Sequence, residues 1–319
     1  MLTYILFVLG FIVLIVGAKL LIDGASSIGL RLGLSQLLIG LTVVALGTSL
    51  PELIINIFAS INGNTDLAVG NVVGSNITNT LLIIGVAAII SPIKVREIIN
   101  KRDIWFNLFA GIMVLLLAND FLFGRSENII NQFDGFILLS IFIYFLYLSF
   151  FKSEHEKEPT QEQKTKSYSL VISVMLIVAG GAGLFVGGKW IISGVSQLSA
   201  DLGVSESVLG LTLIAGATSL PELVTTIIAA LQKNTDIAIG NAIGSNIFNI
   251  FLVLGVSTVI KPINYNLSLN VQIGFLVFFS LILMLFIQTG KARRTISRKE
   301  GILLIFGYFC FLYYSIYVN

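Results

Sequence analysis

Long apolar stretches, each set off by charged or turn residues, constrain this chain most. Each stretch has about 20 mostly apolar residues, enough to cross the hydrocarbon core of a bilayer. Only 11% of residues are charged and 56% are hydrophobic, whereas a soluble domain has about 25% charged residues. We therefore predict an all-α polytopic membrane protein with ten transmembrane helices. The predicted spans lie near residues 2–22, 36–61, 67–90, 104–123, 133–151, 169–192, 206–231, 237–260, 270–290 and 300–318.

The basic residues orient these spans. With ten spans, 16 of the 19 Lys and Arg residues fall at one membrane face, and only Arg125, Lys189 and Lys261 fall at the other. The positive-inside rule makes the crowded face cytoplasmic, so we expect a multi-pass protein of the cell inner membrane with both termini outside. We divide it into a first five-helix half (1–151), a short cytoplasmic connector (152–168) and a second five-helix half (169–319).

An internal repeat links the two halves. Residues 17–85 align with residues 187–255 at an offset of 170 without gaps, and 33 of the 69 positions are identical. Five predicted spans separate equivalent helices, and five is odd, so equivalent helices cross the membrane in opposite directions. Two inverted five-helix repeats are typical of transporters whose binding site lies near the midplane between the halves. The alternative is a duplicated scaffold without a transport role.

Two acidic residues, Glu52 and Glu222, occupy equivalent places in the middle of predicted spans. A charged side chain at the bilayer centre costs about 3 kcal/mol or more, so it normally faces a cavity or a partner. No Lys or Arg lies in the middle of a predicted span to pair with them. They are either protonated hydrogen-bond donors or ligands of a cation that binds and leaves, and we favour the second interpretation.

The neighbours of these glutamates favour a hard cation. Pro51 and Pro221 precede the glutamates, interrupt the helix and leave backbone oxygens without hydrogen-bond partners. Unpaired backbone oxygens are tolerated inside a membrane only where they line a cavity. Hydroxyl groups share the helical face of each glutamate, at Thr48, Ser49, Thr218 and Ser219. An all-oxygen ligand set suits Ca²⁺ or Na⁺. Two ionised carboxylates match the charge of one Ca²⁺ or two Na⁺.

The next spans carry a second polar stripe at helical spacing. Its deeper members, which we expect to line the same site, are Ser75, Asn79, Ser245 and Asn249. Asn71 and Asn241 are either part of the site or interhelical hydrogen-bond donors and acceptors. Asp66 and Asp236 follow a turn and open a helix, so we interpret them as first-turn capping residues.

The segments GTSLPE (47–52) and ATSLPE (217–222), with the two GN-x-x-GSN-x-x-N stretches, resemble the α-repeats of Na⁺/Ca²⁺ exchangers of the cation/Ca²⁺ exchanger superfamily. The chain looks similar to a prokaryotic member. The resemblance implies an antiporter that exports one Ca²⁺ for about three Na⁺ by alternating access. It further implies that Glu52 and Glu222 bind both ions, and that hydroxyl, amide and carbonyl groups complete the sites. These groups belong to Thr48, Ser49, Thr218, Ser219, Ser75, Asn79, Ser245, Asn249 and the carbonyls of Ala45 and Ala215.

Other couplings and functions remain open at this point. Coupling to H⁺, or K⁺-dependent exchange on the same fold, is the main alternative, although Asn249 stands where K⁺-dependent relatives have Asp and the GN-x-x-E motif of proton-coupled relatives is absent. An intramembrane protease is disfavoured, because the spans contain no Ser–His pair, aspartate pair or metal motif. A passive channel is disfavoured because channels usually have rotational symmetry between subunits, which an inverted repeat within one chain does not require. We therefore expect no enzyme activity, no cofactor, no nucleic acid and no obligate protein partner, only the lipid bilayer and transported Ca²⁺ and Na⁺.

Overall fold

The computed structural model describes residues 2–63, 65–119, 128–151, 167–202, 218–267, 269–289 and 294–317. These residues form eleven helices and four short strands. The helices are α1 (Leu2–Leu32), α2 (Gln36–Thr48), α3 (Leu50–Ile61), α4 (65–90), α5 (99–117), α6 (Gln132–Phe151), α7 (Leu170–Leu202), α8 (Leu220–Leu231), α9 (Thr235–Ile260), α10 (Leu269–Thr289) and α11 (Arg298–Tyr317). The strands are β1 (Ile93–Lys94), β2 (Ile129–Ile130), β3 (Ile263–Asn264) and β4 (Thr295–Ile296).

The helices confirm a helical membrane protein. Six of those described are long and apolar enough to cross a membrane, and α2 with α3 brings the number to seven if that bent pair is one span. The six are α1, α4, α6, α7, α9 and α10. Most of the predicted connector (152–166) and the first part of the predicted span 206–231 lie outside the described residues.

Two of the helices are longer than the sequence predicts. α1 continues to Leu32 and α7 to Leu202, about ten residues beyond the predicted span ends. Their glycines explain the close contact between them, because a Cβ at Gly17 would lie 2.8 Å from the Leu184 nitrogen and 2.9 Å from the Gly180 oxygen. Small residues let two membrane helices pack backbone to backbone. The contacts run antiparallel along both helices.

Contacts between the two repeats occur in reciprocal pairs. Gly17 packs on Gly180, and Gly187, which is equivalent to Gly17, packs on Gly10, which is equivalent to Gly180. The strands repeat this pattern, since β1 pairs antiparallel with β4 and β2 pairs antiparallel with β3. Residues of one repeat therefore meet the equivalent surfaces of the other.

α4 and α9 form the centre of the molecule. Within an 18-residue apolar stretch of each, 78% is buried, compared with 33% in α1 and 22% in α7. Both helices contain a π-helical stretch, Asn79–Ile83 in α4 and Phe248–Leu254 in α9. Such turns often accompany functional sites within helices, and here each lies within or next to the polar stripe.

Candidate ion-binding site

The two glutamates lie at breaks between helices. α2 and α3 meet at an angle of 46°, at Ser49, whose φ and ψ of −84° and 3° are not helical. Pro51 and Glu52 then form the first turn of α3. This confirms the predicted interruption. Glu222 has the same place in α8, which begins after Ser219 with φ and ψ of −82° and 3°. Each carboxylate therefore lies at the positive end of a helix dipole.

Both carboxylates are completely buried, with 0% of either residue exposed. Glu222 Oε1 accepts a hydrogen bond from Ser49 Oγ at 3.0 Å and a longer one from Ser245 Oγ at 3.5 Å. Glu222 Oε2 and both carboxylate oxygens of Glu52 have no hydrogen-bond partner among the described residues. Buried oxygens without partners carry a desolvation penalty, and a cation would relieve it.

Threonine–asparagine hydrogen bonds connect the two repeats around the glutamates. Thr48 Oγ1 donates to Asn241 Oδ1 at 3.1 Å, and the equivalent Thr218 Oγ1 donates to Asn71 Oδ1 at 3.2 Å. Asn71 Nδ2 also donates to Asn56 Oδ1 at 2.7 Å. Asn71 and Asn241 thus act at least as interhelical connections, which is one of the two interpretations left open by the sequence.

The predicted serines join this arrangement. Ser245 Oγ lies 3.4 Å from Thr48 Oγ1, and Ser75 Oγ lies 3.5 Å from Thr218 Oγ1. Ser219 is buried as well, but its hydroxyl has no hydrogen-bond partner in the described part of the chain. Four hydroxyls from both repeats therefore form two reciprocal contacts near the carboxylates.

The deeper asparagines are buried beside them. Asn249 Nδ2 donates to Asn76 Oδ1 at 3.3 Å, whereas neither polar atom of the Asn79 side chain has a hydrogen-bond partner within the described ranges. The carbonyl of Ala45, implied as a ligand by the resemblance, accepts from Ser49 N at 2.9 Å and lies 3.2 Å from Thr48 Oγ1. Ala215 lies outside the described residues.

Two further buried polar residues, Asn76 and Asn246, are not among those predicted from the sequence. Both are fully buried, and their recurrence within GSN at 74–76 and 244–246 is the sequence signal that points to them. Asp236 lies in the first turn of α9, as predicted, but the capping residue itself is Asn234, which accepts the cap hydrogen bond from Ile237 N. Asp236 also forms an ion pair with Arg96, at a distance of 2.5 Å. The side chain of Asp66 lies outside the described residues.

The family described as "Sodium/calcium exchanger protein" matches residues 2–151 and 172–317. This chain belongs to the sodium/calcium exchanger family. The resemblance stated from the two repeat motifs is thereby confirmed, and this exchanger-family protein is a membrane antiporter.

Relatives match this exchanger-family protein over nearly its whole length. The putative antiporter CaxA of Alkalimonas amylolytica is 36% identical over 98% of both chains. The sodium/calcium exchanger MaX1 of Methanosarcina acetivorans is 34% identical over 99% of both chains. A structure of the sodium–calcium exchanger NCX_Mj, soaked with 10 mM Na⁺ and zero Ca²⁺, is 33% identical, matches 97% of each chain and has a TM-score of 0.83.

Proposed function

We propose that this protein exchanges Ca²⁺ for Na⁺ across the cytoplasmic (inner) membrane by alternating access, with about three Na⁺ per Ca²⁺. The observation that carries the proposal is the pair of buried glutamates, which have three carboxylate oxygens without hydrogen-bond partners among the described residues. A transported cation is the partner that such oxygens require. Ca²⁺ and Na⁺ both prefer oxygen ligands.

The proposed ligand set draws on both repeats. Glu52 and Glu222 bind both ions, because two carboxylates can neutralise either one Ca²⁺ or two Na⁺, and the two ions therefore compete. The neutral oxygens complete the sites. They belong to Thr48, Ser49, Thr218, Ser219, Ser75, Asn79, Ser245 and Asn249, and to the carbonyls of Ala45 and Ala215. The cross-repeat contacts of Thr48 and Thr218 support this grouping.

The proposed architecture has ten membrane spans in two inverted halves, 1–151 and 169–319, with both termini outside. The reciprocal packing of Gly10 on Gly187 and of Gly17 on Gly180 supports two equivalent halves. The two halves pack on each other through nearly equivalent contacts. If the halves exchange their conformations, a central ion site that was open to one membrane face becomes open to the other. Exchange by this route needs no cofactor, no catalytic step and no protein partner.

The test is ⁴⁵Ca²⁺ uptake into Na⁺-loaded proteoliposomes diluted into Na⁺-free buffer. We expect uptake that requires the Na⁺ gradient, survives a protonophore and does not need K⁺. Uptake driven only by a pH gradient would replace Na⁺ with H⁺ as the coupling ion, and a strict K⁺ requirement would indicate K⁺-dependent exchange. The absence of uptake under every gradient would refute Ca²⁺ as the substrate.

A further inference from the structure

A buried polar residue lies one helical turn beyond each glutamate, on the same helical face. Asn56 follows Glu52 by four residues in α3, and Thr226 follows Glu222 by four residues in α8. Both Asn56 and Thr226 are 0% exposed, and they occupy equivalent positions of the repeat although their residue types differ. Neither belongs to the proposed ligand set. Buried polar groups need hydrogen-bond partners, and the partners of these two residues lead back to the ion site.

In the first repeat, a chain of hydrogen bonds begins at a backbone carbonyl. Asn56 Nδ2 donates to the Ala68 carbonyl at 3.0 Å. Because a carbonyl can only accept, this bond leaves Asn56 Oδ1 facing Asn71, whose Nδ2 donates to it at 2.7 Å. Asn71 Oδ1 then accepts from Thr218 Oγ1 at 3.2 Å. Each bond thus fixes the direction of the next, and the last one orients a hydroxyl of the proposed ion site.

The second repeat reaches the same result through Thr226. Asn241 Nδ2 donates to Thr226 Oγ1 at 3.0 Å and to the Glu222 carbonyl at 3.3 Å. Since both amide hydrogens have acceptors, Asn241 Oδ1 faces Thr48, whose Oγ1 lies 3.1 Å away and donates to it. The Ala45 carbonyl, 3.2 Å from the same hydroxyl, can also only accept. An acceptor therefore takes the Thr48 hydroxyl hydrogen, as it does for Thr218.

The direction of these two hydroxyl groups matters for a bound cation. A threonine hydroxyl has one hydrogen and two lone pairs, and only the lone pairs can bind Na⁺ or Ca²⁺. When the hydrogen is donated to an asparagine oxygen, the lone pairs are left for the ion. A hydrogen turned toward the ion would repel it. Holding the hydroxyl groups in the binding orientation beforehand lowers the cost of ordering them when the ion arrives.

We propose that Asn56 and Thr226 are positioning residues of the ion site. Through the asparagine to which it is bonded, each holds one threonine hydroxyl in the orientation that binds a cation. Two residue types can do this at equivalent positions, because the asparagine amino group needs only an acceptor, which an amide oxygen or a hydroxyl supplies equally. This inference rests on the proposed function, in which Thr48 and Thr218 are ion ligands.

Two variants of Asn56 test the proposal. Asn56→Thr copies the second repeat and keeps an acceptor, whereas Asn56→Val has the shape of threonine without the acceptor. The half-saturating Na⁺ concentration for exchange is measured for both in proteoliposomes. Asn56→Val should raise this value by about threefold to tenfold, the effect of one net hydrogen bond. Asn56→Thr should stay close to the wild-type value.

A double-mutant cycle tests whether Asn56 acts through Thr218. Thr218→Val removes the hydroxyl, so adding Asn56→Val to it should raise the half-saturating Na⁺ concentration little further, whereas independent structural effects would multiply. Na⁺-dependent thermal melting in detergent gives the same comparison if a variant binds ions but does not transport them. The second repeat offers matched variants, since Thr226→Asn copies the first repeat and should be tolerated, and Thr226→Val should lose its effect when combined with Thr48→Val. If Asn56→Val does not assemble, as judged by gel filtration, the Thr226 variants carry the same test.

The outcomes separate this inference from the proposed function. If the wild-type protein shows no Na⁺-dependent ⁴⁵Ca²⁺ uptake, the proposed function fails and the inference falls with it. If wild-type exchange is normal, the positioning role alone is refuted by any of three results: Asn56→Thr raises the Na⁺ value as much as Asn56→Val, neither variant changes it, or the valine effects multiply. A rise in the valine variant alone, which disappears when the threonine hydroxyl is absent, supports both.

Discussion

Replacing Glu52 by glutamine tests the ion site most directly. Both carboxylate oxygens of Glu52 are buried and have no hydrogen-bond partner among the described residues. Glutamine has nearly the same shape, so the substitution removes a negative charge without breaking a bond seen in the structure. We therefore expect Glu52→Gln to remain folded and to lose Ca²⁺ transport.

The size of the effect follows from the charge. Two unit charges about 4 Å apart interact by about 4 kcal/mol at the effective dielectric constant of about 20 that applies to many protein sites. Losing one carboxylate therefore costs about 4 kcal/mol for bound Na⁺ and about 8 kcal/mol for bound Ca²⁺. Since about 1.4 kcal/mol is a factor of ten, the Ca²⁺ affinity should fall by more than a thousandfold and further than the Na⁺ affinity.

Two measurements check this expectation. Ca²⁺ and Na⁺ affinities come from the ion dependence of thermal melting in detergent, and transport comes from ⁴⁵Ca²⁺ uptake. Glu97→Gln is the matched control, because Glu97 is partly exposed and pairs with Lys101 and Arg294 away from the two glutamates. That variant should transport normally. If Glu52→Gln kept its Ca²⁺ affinity within tenfold of the wild type, Glu52 would not be a Ca²⁺ ligand.

Two further predictions concern stability. Gly17→Ala should lower the free energy of unfolding by about 1–3 kcal/mol, since its Cβ would meet backbone atoms of α7. Gly181→Ala is the control and should be neutral or stabilising, because a Cβ there has nothing within 4 Å. Equal melting temperatures of the two variants would contradict this packing. Arg96→Ala should cost about 1–3 kcal/mol by leaving the largely buried Asp236 without its ion pair. Removing the exposed Lys101 should cost less than about 1 kcal/mol, and an equal loss in the thermal melts of both variants would refute the difference.

Much of the site could be predicted from the sequence alone. A charge in the middle of an apolar span is costly, so Glu52 and Glu222 stand out without any structure. The prolines that follow Leu50 and Leu220 indicate broken helices, and the structure confirms the break at Ser49. The repeat marks equivalent positions, which is why Thr48 and Thr218 could be grouped before their contacts were seen. These are local signals that depend on residue type and spacing.

Other features depend on which side chains meet across the repeats. Asn246 looks like its equivalent, Asn76, in the sequence, yet only Asn246 contacts Asn107, whose side chain comes from a distant helix outside the aligned repeat. The position of Asp236 after a turn suggested a first-turn capping residue, but only the structure shows that Asn234 accepts the cap hydrogen bond and that Arg96 from the other half pairs with Asp236. The close approach of α1 and α7 likewise depends on both helices, since a Cβ at Gly17 would meet backbone atoms of α7.

The sequence by itself determined the membrane class, the repeat, the broken helices and the two buried carboxylates, because each follows from the cost of placing charge or unpaired backbone in hydrocarbon. The tertiary structure alone decided which side chains meet. The two repeats share 33 of 69 aligned residues, and their packing against each other and against residues outside the aligned repeat, such as Asn107 of α5, makes the two halves differ.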